Sequence, residues 1–234
     1  MIYLDHNATS PVDQRVLEAM QPYMTSIYGN PSSLYRLGRV ARSALETARC
    51  QIAALVGAEP SEVIFTSGGT EANNLAIKGL FVNSQVKKIF IPKTEHPSVL
   101  AAALSLKDPL AIEYLDVDSQ GLVDFEIAPS RLGAGLNFVS VMMANNETGV
   151  IQPIAKLSEY FKAIHSAIIL HTDAVQALGK IPVDIATLNV DMISLSSHKI
   201  YGPKGVGALV ARNPEPLTPL LFGGSQEHGV RAGT

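Results

Sequence analysis

Apolar residues recur along this chain in two alternating rhythms. At 12–23, Val16, Leu17 and Met20 fall at helical spacing. At 34–56, Leu37, Val40, Ala41, Ala44, Leu45, Ala48, Ile52 and Leu55 repeat that spacing for longer, and Gly57 is placed as a C-cap. Residues 62–66 then read as a buried strand that Gly68-Gly69 break, and Thr70 opens a helix running to residue 80. The same logic predicts strands at 88–91, 112–117, 136–142, 168–171, 192–195 and 206–210. It predicts helices at 97–106 and 153–165, the second with a proline in its first turn. Strands separated by helices imply an α/β fold with a mainly parallel sheet covered on both faces, a three-layer α/β/α arrangement. Ligand sites in such sheets form where loops leave the carboxyl ends of strands. Chemistry is therefore expected just after Phe65, Ile91, Met142, Leu170 and Leu195.

Each of those five loops carries polar or glycine-rich residues. Thr66-Ser67-Gly68-Gly69-Thr70-Glu71 lets backbone approach a ligand and offers free N–H groups at a helix start, which suits a phosphate. It equally fits a plain strand–turn–helix with Thr70 as N-cap. His96, after Ile91, fits either a ring-stacking, proton-transferring histidine or a surface residue before a helix. Asn145-Asn146-Glu147-Thr148-Gly149 fits a ligand-binding loop or a polar turn. The last two loops hold Asp173, in His171-Thr172-Asp173-Ala174-Val175-Gln176, and Lys199, between an apolar strand and a Gly-Pro-Lys-Gly turn. An acid and a lysine at successive strand ends have a definite chemical use. Pyridoxal phosphate (PLP) takes a lysine amine for covalent attachment and an acid against its pyridine nitrogen. A carboxylate there keeps the nitrogen protonated.

Composition narrows the alternatives. The 234 residues are 47% hydrophobic and 17% charged, which is globular. The net charge of −3 carries no footprint for nucleic acid or an anionic membrane, and no apolar run is long enough to span a bilayer. The first residues lack the basic-then-apolar pattern of a signal peptide, so a cytoplasmic protein is the default expectation. A single cysteine, Cys50, excludes an internal disulfide and a thiolate zinc cluster. His165, His171 and Asp173 match no metal-ligand spacing, and neither a G-x-G-x-x-G nor a G-x-x-x-x-G-K-[ST] motif is present. No metal site is expected.

Seven motifs together resemble the NifS/IscS cysteine desulfurases, of the class V aminotransferase group with PLP fold type I. They are Tyr3-Leu4-Asp5-His6-Asn7-Ala8-Thr9, Gly29-Asn30-Pro31-Ser32-Ser33, the Thr66 to Glu71 loop, Thr94-Glu95-His96, Asn145 to Gly149, His171 to Gln176, and Ser196-Ser197-His198-Lys199-Ile200-Tyr201-Gly202-Pro203-Lys204-Gly205. The resemblance runs in order to Arg231-Ala232-Gly233-Thr234. It implies Lys199 as the lysine that holds PLP, Asp173 as the partner of the pyridine nitrogen, and Gln176 and Asn146 as hydrogen-bonding residues around the ring and substrate. It implies His96 as the histidine that stacks on the ring and assists proton transfer. Gly69, Thr70, Ser196 and His198 correspond to a phosphate cradle, and Thr234 to a threonine that reaches the partner subunit's phosphate in a homodimer.

The resemblance further implies that residues 1–14 form a segment packing with a C-terminal small domain, and 15–234 the PLP-binding large domain. The family's reaction takes sulfur from L-cysteine, leaving alanine and an enzyme persulfide that serves a sulfur-acceptor or scaffold protein in iron–sulfur or thio-cofactor assembly. The nucleophilic cysteine and the substrate-carboxylate arginine fall beyond residue 234 in that family, as does the small domain. Cys50, within the 34–56 helix, matches no family nucleophile. The expectation is therefore a fragment or truncated gene product that binds PLP but lacks desulfurase turnover by itself. Another class V aminotransferase or lyase, and a non-catalytic PLP-fold interaction module, are the other readings.

Overall fold

The computed structural model describes residues 2–83, 86–106 and 112–234. Met1, which opens the N-terminal segment, lies outside the described residues. Two helices lead: α1 (Gln14–Thr25), whose first turn is capped by the Asp13 carboxylate accepting from the Arg15 amide, and α2 (Arg36–Leu55). Gly57, with φ +66°, follows α2 and turns the chain where a side chain would be strained and would strike Asp184. The alternating part is β1 (Val63–Thr66), α3 (Gly69–Asn83), β2 (Val86–Pro92), α4 (Pro97–Leu104), β3 (Ile112–Leu115), β4 (Leu136–Ser140), α5 (Ile154–Ile164), β5 (Ile168–Asp173), α6 (Ile185–Leu188), β6 (Met192–Ser196) and β7 (Gly207–Ala211).

Seven strands form one sheet in the order β1-β7-β6-β5-β4-β2-β3. All neighbouring pairs are parallel except those made by β7, which runs antiparallel to both β1 and β6. The reason is the connection. Residues 197–206 hold no helix long enough to carry the chain back across a sheet face, so β7 returns beside β6, as antiparallel pairing allows and parallel pairing does not. This turns the amino end of β7 toward the same edge as the carboxyl ends of the other strands.

Alternation within the strands builds two cores. Val63, Phe90, Val139, Ile193, Leu195 and Val210 face α2 and α5, whereas Ile64, Ile89, Ile91, Phe138, Met192 and Leu209 face α3 and α4. Phe90 and Phe161 pack ring to ring on the first side, 6.3 Å between centroids, and both are fully buried. Each such side chain contributes about 1.5–3 kcal/mol relative to exposure. The expected three-layer α/β/α arrangement with a mainly parallel sheet is thus what the chain adopts.

The N-terminal residues reach into this body. Ser10 is buried, donates through both its amide and its hydroxyl to the His198 carbonyl, and accepts from the Tyr201 amide. Residues 7–13 therefore lie along the β6–β7 connection, at the sheet edge where the loops converge.

Candidate functional site

A cavity of about 520 Å³ opens at that edge. Its lining joins residues from all five predicted loops, the last of them the β6–β7 connection, and from residues 8–9. Of the ten residues singled out in the sequence, Gly69, Thr70, His96, Asn146, Asp173, Gln176, Ser196, His198 and Lys199 line it together. Thr234 does not; it is exposed at the end of the segment that Arg231 ties to Glu71 at 2.9 Å.

One wall is built by regular elements. Asp173 is the last residue of β5, so its carboxylate leaves the sheet at the cavity floor, 5% exposed. One oxygen accepts from the Val175 amide at 2.9 Å and the other from the Asn73 side-chain amide at 2.7 Å. Burial dominates and raises its pKa above the ordinary carboxylate value, against the downward pull of these two bonds, His96 and Lys199. His96 caps α4. Its Nδ1 accepts from the amide of Ser98, the second helical residue, at 3.1 Å, and Pro97 fills the first position, where no N–H is needed.

Glu95 lies behind this wall. It is buried, accepts the Met142 amide through one oxygen and has no partner for the other among the described residues. Burial first, and the Asp173 charge second, raise its pKa well above the ordinary carboxylate range, and the Met142 amide opposes them.

A glycine-lined end comes from the loop after β1. Gly69 starts α3, so the first-turn amides of Gly69 and Thr70 have no intrahelical acceptor. An added Cβ at Gly69 would come within 2.7 Å of Val175 Cγ2, and one at Gly207 within 2.6 Å of the Gly68 backbone. The loop and strand thus approach at distances only glycine permits. Ser196, at the end of β6, and the Thr70 hydroxyl border the same space. His198 joins them from the next turn, its Nδ1 3.1 Å from Thr9 Oγ1. Burial, then Lys199 and Lys204, push the His198 pKa down.

The third component is the lysine wall. Lys199 is half-buried on the short helical turn after β6, and its amine donates to the Ala8 carbonyl at 2.8 Å and to that of Asn7. Gln176 donates to the same Asn7 carbonyl at 2.8 Å and accepts from Lys180 at 2.9 Å. Burial, and then the charge of Lys180, push the Lys199 pKa down, while Asp5 and Asp173 oppose them.

The Thr66 to Glu71 loop is a strand–turn–helix that also lines the cavity, but the helix starts at Gly69, so Thr70 lies within its first turn and is not the expected N-cap. Asn145 is turn-forming, its side chain accepting from the Glu147 and Thr148 amides, while Asn146 lines the cavity. His171 is structural: it is buried inside the sheet between Ser140 and Ser194, and burial lowers its pKa to about 3. Among the described residues no cluster of His, Cys, Asp or Glu is arranged to hold a metal ion. Cys50 is exposed on α2 and absent from the cavity lining. The neighbouring Arg49 turns inward instead, paired with Glu227 at 2.8 Å.

Sequence reasoning missed Asn73, Ser98 and Glu95. Asn73 stands in an Asn-Asn pair on α3, where pattern does not say which amide turns inward. Glu95 was within a recognised motif but carried no assigned role.

The whole pattern matches the family model described as Aminotransferase class-V over residues 2–232. The chain is 48% identical to the cysteine desulfurase IscS of Dictyoglomus turgidum, over all of this chain and 59% of that protein. A solved structure of a NifS-like protein superposes with a TM-score of 0.94 at 39% identity, covering 100% of this chain and 65% of that one. A structure titled SspA in complex with cysteine superposes with 0.91 at 36%, covering 100% and 68%. The chain thus spans about three-fifths of the curated relative it matches here.

Proposed function

The chain belongs to the class V aminotransferase family and has the large-domain fold of fold type I PLP enzymes, and from that premise we propose that it is the cofactor-binding part of a PLP-dependent cysteine desulfurase. The single observation that carries this is the convergence, on one cavity, of a buried acid, an amine and a glycine-lined helix start: Asp173, Lys199 and Gly69-Thr70.

The donor set fits PLP. First-turn amides of α3, the hydroxyls of Thr70 and Ser196, and His198 suit a phosphate. Asp173, whose two oxygens accept from Asn73 and from the Val175 amide, suits a protonated ring nitrogen. Lys199 suits covalent attachment, and its lowered pKa favours the neutral amine that attachment needs. When bound, PLP supplies an electron sink for the substrate α-carbon. The chain's own residues then do the rest. The cradle residues hold the phosphate, Gln176 and Asn146 hydrogen-bond the ring and substrate side, and His96 and Lys199 move protons.

L-Cysteine is the proposed substrate, and the relative bound to cysteine supports it. Its sulfur passes to an acceptor thiol, giving alanine and a persulfide, with the thiol hydrogen replacing sulfur on the substrate. Cys50 is outside the cavity lining, so this chain alone is not expected to complete that step. A sulfur-acceptor or scaffold protein completes the proposal, and the cytoplasm is its proposed compartment. No helix among the described residues is long and apolar enough to cross a membrane.

A homodimer, with Thr234 reaching the partner subunit's phosphate, is also proposed. An apolar groove between α1 and α2, lined by Val16, Met20, Tyr23, Tyr28 and Val40, supports burial against further protein. The division at residue 14 stays within the proposal too, supported by Ile2 and Leu4, each 86% exposed and apolar.

The test is a titration of the chain with PLP followed by visible absorbance, and then addition of amino acids. The expected result is a saturable band at one equivalent that L-cysteine perturbs. No saturable band would contradict the cofactor reading. A response to other amino acids but not to L-cysteine would favour another class V aminotransferase or lyase. A band indifferent to all of them would favour a non-catalytic module.

A further inference from the structure

Asn73 is 1% exposed, on the cavity-facing side of α3 one turn after Thr70, and its position is hard to explain by packing. Its side-chain nitrogen has two hydrogens, and both are used. One goes to Asp173 Oδ2 at 2.7 Å and the other to Ser98 Oγ at 2.9 Å. Its carbonyl oxygen is buried without a partner among the described residues. The reversed amide would set that oxygen against the Asp173 carboxylate, so the acid dictates the orientation.

Ser98 Oγ, having accepted from Asn73, has its own hydrogen available for His96 Nδ1, 2.7 Å away. The Ser98 amide also donates to Nδ1. A nitrogen that accepts carries no proton. A neutral His96 ring therefore holds its proton on Nε2, which makes no hydrogen bond among the described residues, and His96 lines the cavity.

We propose that Asn73 is a positioning residue that couples Asp173 to His96 through Ser98, fixing the acid's orientation and the tautomer of the histidine as one hydrogen-bonded unit. The coupling deepens the functional reading above, since it rests on Asp173 and His96 being the acid and the histidine of that site. Two groups that line one cavity would then respond to each other before any ligand arrives.

The test uses the 234-residue chain without added cofactor, labelled with ¹⁵N at histidine, at alkaline pH where imidazoles are neutral. Long-range ¹H–¹⁵N spectra should show His96 with its proton on Nε2. Asp173→Asn should shift the His96 nitrogen resonances, and that response should be lost when Asn73→Ala is combined with it. Ser98→Ala breaks the next link with a smaller change and should also abolish the response, which covers the case that Asn73→Ala does not fold. A proton on Nδ1 would overturn the proposal. So would an Asp173→Asn shift that is absent, or that survives loss of Ser98 or Asn73. Failure of PLP to bind would sink the functional reading while leaving this coupling measurable, so the two failures are distinguishable.

Discussion

The two walls of the cavity are made in different ways. The acid wall comes from the end of a central strand and the starts of two helices. Asp173 and Asn73 are each 5% exposed or less, and Asn73 donates both to Asp173 and to Ser98. The lysine wall comes from a connection and an N-terminal segment, and Lys199 is half-buried, held by the Asn7 and Ala8 carbonyls. The difference matches what each group must do. An acid that holds a ring nitrogen has to stay fixed, and donors carried on rigid elements keep it so. A lysine that attaches to a cofactor and is released again needs bonds that another donor can replace. Backbone carbonyls at a partly exposed edge provide those.

This contrast yields predictions in order of size. Lys199→Ala should abolish covalent PLP attachment altogether while changing folding stability by no more than about 0.5 kcal/mol, since its contacts are at the edge. Absorbance titration and thermal melting check the two halves, and a large loss of stability would erase the contrast. Asn73→Ala should do the reverse at first order. It should cost about 2–3 kcal/mol of stability, because Asp173 and Ser98 lose a buried donor, while leaving Lys199 able to react. Denaturant melts measure this, and a near-neutral change would show that the acid wall is not held as described.

Smaller effects test the details. Gly69→Ala sets a Cβ 2.7 Å from Val175 Cγ2 and should weaken PLP binding about tenfold, or ~1.4 kcal/mol. Unchanged affinity would mean that the cradle has room to spare. Lys180→Met removes a positive neighbour that, after burial, pushes the Lys199 pKa down. The pH at which Lys199 sheds its proton should therefore rise, read from the pH dependence of its labelling by an amine-reactive probe. A fall, or no movement, would remove Lys180 from the lysine wall.

Much of this was legible in the residues. The change of apolar period from 3.6 to 2 located every strand of the sheet, and the rule that sites sit at carboxyl ends pointed to five loops that do converge. Strand ends were less legible. The strand at 168–171 runs on to Asp173, which turns the acid from a loop residue into a strand-held one. The strand expected at 112–117 stops at Leu115, and Val117 makes only an isolated bridge to Val123.

The direction of β7 was not readable, because apolar alternation is the same in either direction and only the length of the connection decides. Partners distant in sequence were hidden for a related reason. Arg49 reads as a solvated helix residue, yet it is buried against Glu227, 178 positions away. Asn73 meets Asp173 across 100 positions, and no local pattern marks a polar helix residue as inward-facing when its partner is supplied by another strand.

The central claim is that Lys199 carries the cofactor opposite Asp173. Borohydride reduction of the PLP-loaded chain, followed by digestion and mass mapping, tests it most directly. The account predicts one modified peptide, with the cofactor's mass on Lys199 and none on Lys180 or Lys204. Label on another lysine, or spread over several, would contradict it.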